Sequence, residues 1–165
     1  MYAHNLASQL IDMDKRAEAE PLLREAMEVG GRLFPAGHRI PIGARLNLAK
    51  LLNLDERFDE TEKLLDEAEP AFRKEAGVQG ERNLSLLLTR RGRARTGLKK
   101  FDEAEADLLA AYPMAARSRG DSHELTRACA GMLSDLYKRW DEDQPGRGYD
   151  AKAAEWREKL AAPKS

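Results

Sequence analysis

A phrase, KRAEAEPLLREA at Lys15–Ala26, returns as RFDETEKLLDEA at Arg57–Ala68 and KFDEAEADLLAA at Lys100–Ala111, with a looser relative, YDAKAAEWREKL, at Tyr149–Leu160. Arg16, Phe58 and Phe101 fall at steps of 42 and 43 residues. Each is followed in register by a small residue (Ala19, Thr61, Ala104), a leucine (Leu23, Leu65, Leu108) and an alanine (Ala26, Ala68, Ala111). Spacings of three and four place these side chains on one face of a helix. Upstream of each lies a second helical stretch, for NLASQLIDMDK at Asn5–Lys15 matches NLAKLLNLDER at Asn47–Arg57 at Asn, Leu and Ala, and again at Leu10/Leu52 and Asp14/Asp56. The unit is helix, tight turn, helix.

A pair of short helices with one apolar face cannot bury that face alone, so a fixed period of this length predicts an all-α solenoid of stacked antiparallel pairs. The expected array covers 1–165 as about four repeats, 1–33, 41–76, 81–118 and 122–161. Small residues at equivalent places in the first helices (Ala7, Ala49, Gly92, Ser134) and second helices (Ala19, Thr61, Ala104, Ala153) let the helices approach closely. Glycine inside a helix costs roughly 1 kcal/mol relative to alanine, so Gly92 signals close packing. Pro70 and Pro113, each about three turns into a second helix, are expected to kink or end it. Ile40–Pro41 and GDSHE at Gly120–Glu124 are helix starts, the latter with Asp121 or Ser122 as the expected cap. DEDQPGRG, Asp141–Gly148, lengthens the fourth turn into a polar loop.

Charged residues make up 35% of the 165, yet the formal net charge is −1, without the basic excess of a nucleic-acid or membrane-surface protein. No apolar run is long enough for a membrane span, and MYAHNLASQL lacks the pattern of a signal peptide. The chain therefore reads as cytoplasmic, and its one cysteine, Cys129, fits a reducing compartment.

Chemistry finds little purchase. His38 and His123 are 85 residues apart in loops between repeats, too far along a stack to share a metal, and a loop or capping role is expected of them. Asp121, Ser122 and His123 are triad residue types in one turn, where consecutive side chains seldom point at one another. Glu18, Glu20, Glu103 and Glu105 belong to the polar face of surface helices, and neither Gly30–Gly31 nor Gly146–Gly148 follows a strand as a phosphate loop would. Kinase motifs are absent. Cys129, inside TRACAGMLSDLY, is expected to be a buried structural thiol, and Trp140 and Trp156 to pack the terminal helix onto the array. No enzyme activity, cofactor or metal is expected.

The small residues at the close-approach positions, with NLAKLL, RAEAEPLLREA and LFPAGHRIP at the 42-residue spacing, resemble the tetratricopeptide repeat family, and its long-period, kinesin-light-chain-like subtype, over nearly the whole chain. The ending LSDLYKRW…AAEWREKLA is similar to the last unit of the arrays that follow bacterial serine/threonine kinases. The first-helix aromatic of the family is replaced by Leu10, Leu52 and Arg95. The resemblance implies a protein–protein interaction scaffold whose first helices line a concave groove for a peptide. Carried onto this sequence, the groove positions are His4, Asn5 and Ser8; Asn47, Lys50 and Asn53; Thr89, Arg90 and Arg93; and Asp135 and Lys138. Lys50, Arg90 and Arg93 are expected on one surface, suited to an acidic or extended peptide, with asparagine amides binding its main chain. The competing expectation is that Arg90, Arg91, Arg93 and Arg95 neutralise the acidic second helices and that the chain is a structural or self-associating segment of a longer superhelix. Tyr2, Leu6 and Leu10, with no repeat before them, mark the N-terminal edge as the surface for such pairing.

Overall fold

The computed structural model describes residues 2–34 and 38–161, and the side chains of these except 2–5 and 39. Among the described residues the regular structure is helical throughout, and the chain divides into two compact units, residues 1–75 and 76–165.

The first unit holds α1 (Tyr2–Asp12), α2 (Arg16–Leu33), α3 (Arg39–Leu54) and α4 (Phe58–Arg73). Each helix packs on the next, and the two first helices of the pairs, α1 and α3, also lie against each other. Its core joins Ala7, Leu10 and Ile11 to Ala19 and Leu23, and to Ala44, Leu48, Leu51 and Leu52, the positions the period puts on the apolar faces. Leu10 is buried in this core, a correction to its place on an uncovered edge; Leu6 is 48% exposed.

The second unit holds α5 (Gly77–Gly97), α6 (Phe101–Arg119), α7 (Glu124–Asp143) and α8 (Tyr149–Ala161), packed in the same pattern with α5 against α7. Phe101, Ala104 and Leu108 meet Leu133, Leu136, Tyr137 and Trp140, and α8 adds Ala153 and Trp156. Trp140 stacks on Tyr149 at 4.2 Å and Trp156 meets Tyr112 edge-on at 4.9 Å. Ala153 is buried where Lys152 is exposed, so the long loop shifts the register of α8 by one residue. A Cβ on Gly92 would sit 2.6 Å from Leu108 Cγ, which is why this helix interior carries no side chain there.

The turns within the first three pairs are the same object. Asp14, Glu56 and Lys99 adopt positive φ (59°, 56° and 59°), and the next amide donates back across the turn, Lys15 to the Leu10 carbonyl, Arg57 to Leu52 and Lys100 to Arg95, at 2.8, 2.8 and 2.9 Å. This is the Schellman closure, in which a left-handed residue satisfies the orphan carbonyls of a helix end.

Two expectations are narrowed. Of the two outcomes expected of Pro70 and Pro113, a kink or an end, the end does not occur: α4 runs on to Arg73 and α6 to Arg119. Both prolines are exposed, so water can satisfy the carbonyl that each leaves without a donor. The cap of α7 is His123, not Asp121 or Ser122.

Candidate functional site

The groove positions lie on α1 and α3 in one unit and on α5 and α7 in the other. The side chains of His4 and Asn5 fall outside the described residues. Ser8 and Asn47 are half-buried, and Asn53 is only 2% exposed, because it falls on the inner face of α3 beside Leu52; its amide is therefore not displayed for a peptide. Lys50 Nζ is held by Asp12 Oδ1 at 2.9 Å, an exposed ion pair linking α3 to α1.

In the second unit Thr89 is buried, its hydroxyl donating to the Ser85 carbonyl at 2.7 Å and lying 2.9 Å from Cys129 Sγ. Cys129 is accordingly a packed thiol of α7, and burial pushes its pKa up, away from thiolate chemistry. Arg90 is half-buried with its Nη1 atom withdrawn from solvent, and this loss of hydration pushes the guanidinium down to about 10. Arg93, Asp135 and Lys138 are exposed. On the side-by-side helices α5 and α7, then, Arg93 and Lys138 present cations to water, whereas Arg90 is tied up in packing.

The four arginines of α5 have separate fates. Arg91 makes a two-pronged bond to Asp107 of α6, Nε to Oδ2 at 2.8 Å and Nη2 to Oδ1 at 2.7 Å, and Arg95 Nη1 reaches the same Oδ2 at 2.9 Å. Arg91 and Asp107 are both buried. Their positions correspond in register to Leu48 and Leu64 of the first unit, and Arg95 to Leu52, so three leucine positions have become an ion triad. Charges at leucine positions of the repeat were the signal for it in the sequence. A second, part-buried polar contact, Tyr137 Oη to Glu105 Oε1 at 2.5 Å with the exposed Lys152 Nζ 3.0 Å from the same oxygen, ties α7, α6 and α8 together. Burial, with the carboxylate beside it, raises the pKa of the Tyr137 phenol.

His38 and His123 are both helix caps. The Nδ1 atom of His38 accepts from the Ile40 amide at 3.3 Å, and that of His123 from the Leu125 amide at 3.1 Å. A cleft of about 200 Å³ opens at the far ends of α5 and α7, among Thr96, Lys99, Arg139 and Glu142, with Lys99 and Asp143 ion-paired at 2.6 Å on its wall. Among the described residues no cluster of three metal-ligating side chains forms, and no helix is long and apolar enough to cross a membrane.

Helix pairs, three of the four closed by the same turn, with first helix on first helix in each unit, define a helical-repeat protein. Its repeats have the tetratricopeptide fold, and residues 1–40 match the tetratricopeptide repeat family model. The chain is similar in structure to the nearly identical tetratricopeptide-like repeats of a putative kinesin light chain from Podosopora anserina, at a TM-score of 0.73 and 18% identity, covering 96% of this chain and 72% of that one. A variant of that protein gives a TM-score of 0.67 at 15% identity, over 97% and 82%. No curated protein matches in sequence. Repeats of this kind generally mediate protein–protein interaction.

Proposed function

We propose that this chain is a non-catalytic binding module that grips an extended, acidic segment of another protein along its first helices. The observation that carries the reading is the exposure of Arg93 and Lys138 on α5 and α7, in a chain where Arg16, Arg24, Arg57, Arg73 and Arg91 are all engaged by carboxylates. Cations left facing water on the helices that line such grooves suit a carboxylate-bearing ligand. In the first unit, taken by itself, Lys50 of α3 becomes available to a carboxylate once the ligand displaces Asp12.

Exposed charge pairs are individually weak and screened by salt, so capture depends on several at once. Arg93→Glu alone should weaken binding of an acidic peptide by less than about fivefold, whereas Arg93→Glu with Lys138→Glu should remove it by replacing attraction with repulsion. Both sites are exposed, so helical content and melting temperature should stay as in the parent. Affinity is read by fluorescence anisotropy across an acidic peptide library at two ionic strengths. Binding that survives the double change, or that ignores salt, overturns the reading.

A further inference from the structure

Arg16 and Phe101, 85 residues apart, hold the same place in the repeat, so the end of α3 and the end of α7 can be compared residue by residue, each within its own unit. In the first unit Arg16 turns its guanidinium onto the end of α3. Its Nη1 donates to the Leu54 carbonyl at 3.1 Å and to Asp55 Oδ1 at 2.7 Å, and its Nε donates to Asp14 Oδ1 at 2.8 Å. A helix end suits a cation for two reasons: its last carbonyls have no intrahelical donor, and they form the negative end of the helix dipole.

In the second unit the same step of 85 replaces Arg16 by Phe101, Asp14 by Lys99 and Asp55 by Trp140. Phe101 stacks on Trp140, with ring centroids 5.4 Å apart and planes within 18°, so an ion pair has become a ring pair. The end of α3 at Leu54 corresponds to Arg139, and α7 runs on from there to Asp143, about one turn further. Between that added turn and the last turn of α5 opens the cleft of about 200 Å³. Its volume lies below the roughly 300 Å³ at which sites for drug-sized ligands begin, and suits a single side chain.

The chemistry of the cleft suits the group that Arg16 supplies in the first unit. Thr96 and Gly97 come from the last turn of α5, and Glu142 and Asp143 from that of α7, so two helices turn their negative ends to one space. Asp143 is held by Lys99 Nζ at 2.6 Å, whereas Glu142 is exposed and belongs to no ion pair among the described residues. Phe101 in the lining gives the apolar surface along which the alkyl stem of a long cationic side chain can lie. Arg139, also in the lining, opposes an incoming cation and so limits its affinity. A planar guanidinium is favoured over an ammonium, because its fork can serve a carboxylate and a helix-end carbonyl together, as that of Arg16 does with Asp55 and Leu54.

We propose that this cleft is a further binding site, taking one arginine side chain of a partner protein with its guanidinium against Glu142 and the end of α7. The proposal goes beyond the capture of an acidic segment and does not depend on it. The test titrates the full chain with N-acetyl-arginine methylamide and follows the amide resonances by NMR, with the lysine and citrulline counterparts as controls. This probe carries no carboxylate, so it gives Arg93 and Lys138 nothing to hold, and the two readings can fail separately. Saturable shifts are expected at Thr96, Gly97, Glu142 and Asp143 at millimolar probe, weaker ones with lysine and none with citrulline. Glu142→Gln should weaken binding by about two- to fivefold, and Glu142→Lys should remove it. Arg139→Gln should tighten it by a similar factor, since a like charge is lost. Glu158→Gln, on α8 and outside the lining, should bind as the parent does. All three positions are exposed, so the variants should keep the parent's fold. Resonances of the cleft that stay in place, binding that survives Glu142→Lys, or a lysine or citrulline probe held as tightly as arginine overturns the proposal. Should a variant lose its fold, the parent's ranking of the three probes decides alone.

Discussion

Glu56 shows how much backbone a single residue can command. It holds a left-handed φ of 56° at the turn between α3 and α4, and the Arg57 amide closes on Leu52 only because it does. A side chain in that region costs about 1 kcal/mol or more, a penalty glycine escapes. Glu56 is exposed and outside the ion pairs of the unit. Glu56→Gly should therefore stabilise the chain by about 0.5 to 1 kcal/mol, since the strain relieved exceeds the extra flexibility given to the unfolded state. Equilibrium urea unfolding, with the midpoint moving up at constant slope, checks it. The tight turns were legible in the sequence from the repeat period alone. Their left-handed residues were not, because Asp14, Glu56 and Lys99 share no chemistry that announces positive φ.

Between elements, the joint of α5 and α6 sets two strategies side by side. Gly92 lets Leu108 come close, and beside them the neighbouring Arg91, with Arg95 a turn further on, converges on Asp107. The close approach was readable from Gly92 in register with Ala7 and Ala49, since small residues at fixed spacing have few other uses inside helices. The triad was half readable: the run of arginines suggested neutralisation of acidic helices, but a count of charges cannot say which cation is buried. Removing one member of a buried ion cluster strands the others, so Asp107→Leu should cost about 3 to 5 kcal/mol. Changing Arg91, Arg95 and Asp107 together to leucine rebuilds the pattern of Leu48, Leu52 and Leu64, and should be neutral or stabilising by up to about 4 kcal/mol. Thermal unfolding of the single and triple variants compares the two. A triple variant no better than the single one would mean that the second unit cannot close over leucines as the first does. The candidate surface was least legible for the same reason. Position within a repeat says which helix a residue is on, while the withdrawal of Asn53 and Arg90 from solvent depends on neighbours that only folding supplies.

At the scale of the whole molecule, the sequence shows one period running end to end, and the chain divides into two compact units, residues 1–75 with an apolar cluster around Leu48 and residues 76–165 with one around Leu133. A repeat reports the local rule of packing, not how a chain divides into compact units. That division has an optical consequence. Both tryptophans of the chain, Trp140 and Trp156, belong to the second core and sit against Tyr149 and Tyr112. Emission excited at the red edge of the indole band is thus a private signal of residues 76–165, while circular dichroism at the amide wavelengths sums all eight described helices. If the two cores melt at different temperatures, the two spectroscopies will trace different curves from the same sample, with no label needed to tell the halves apart.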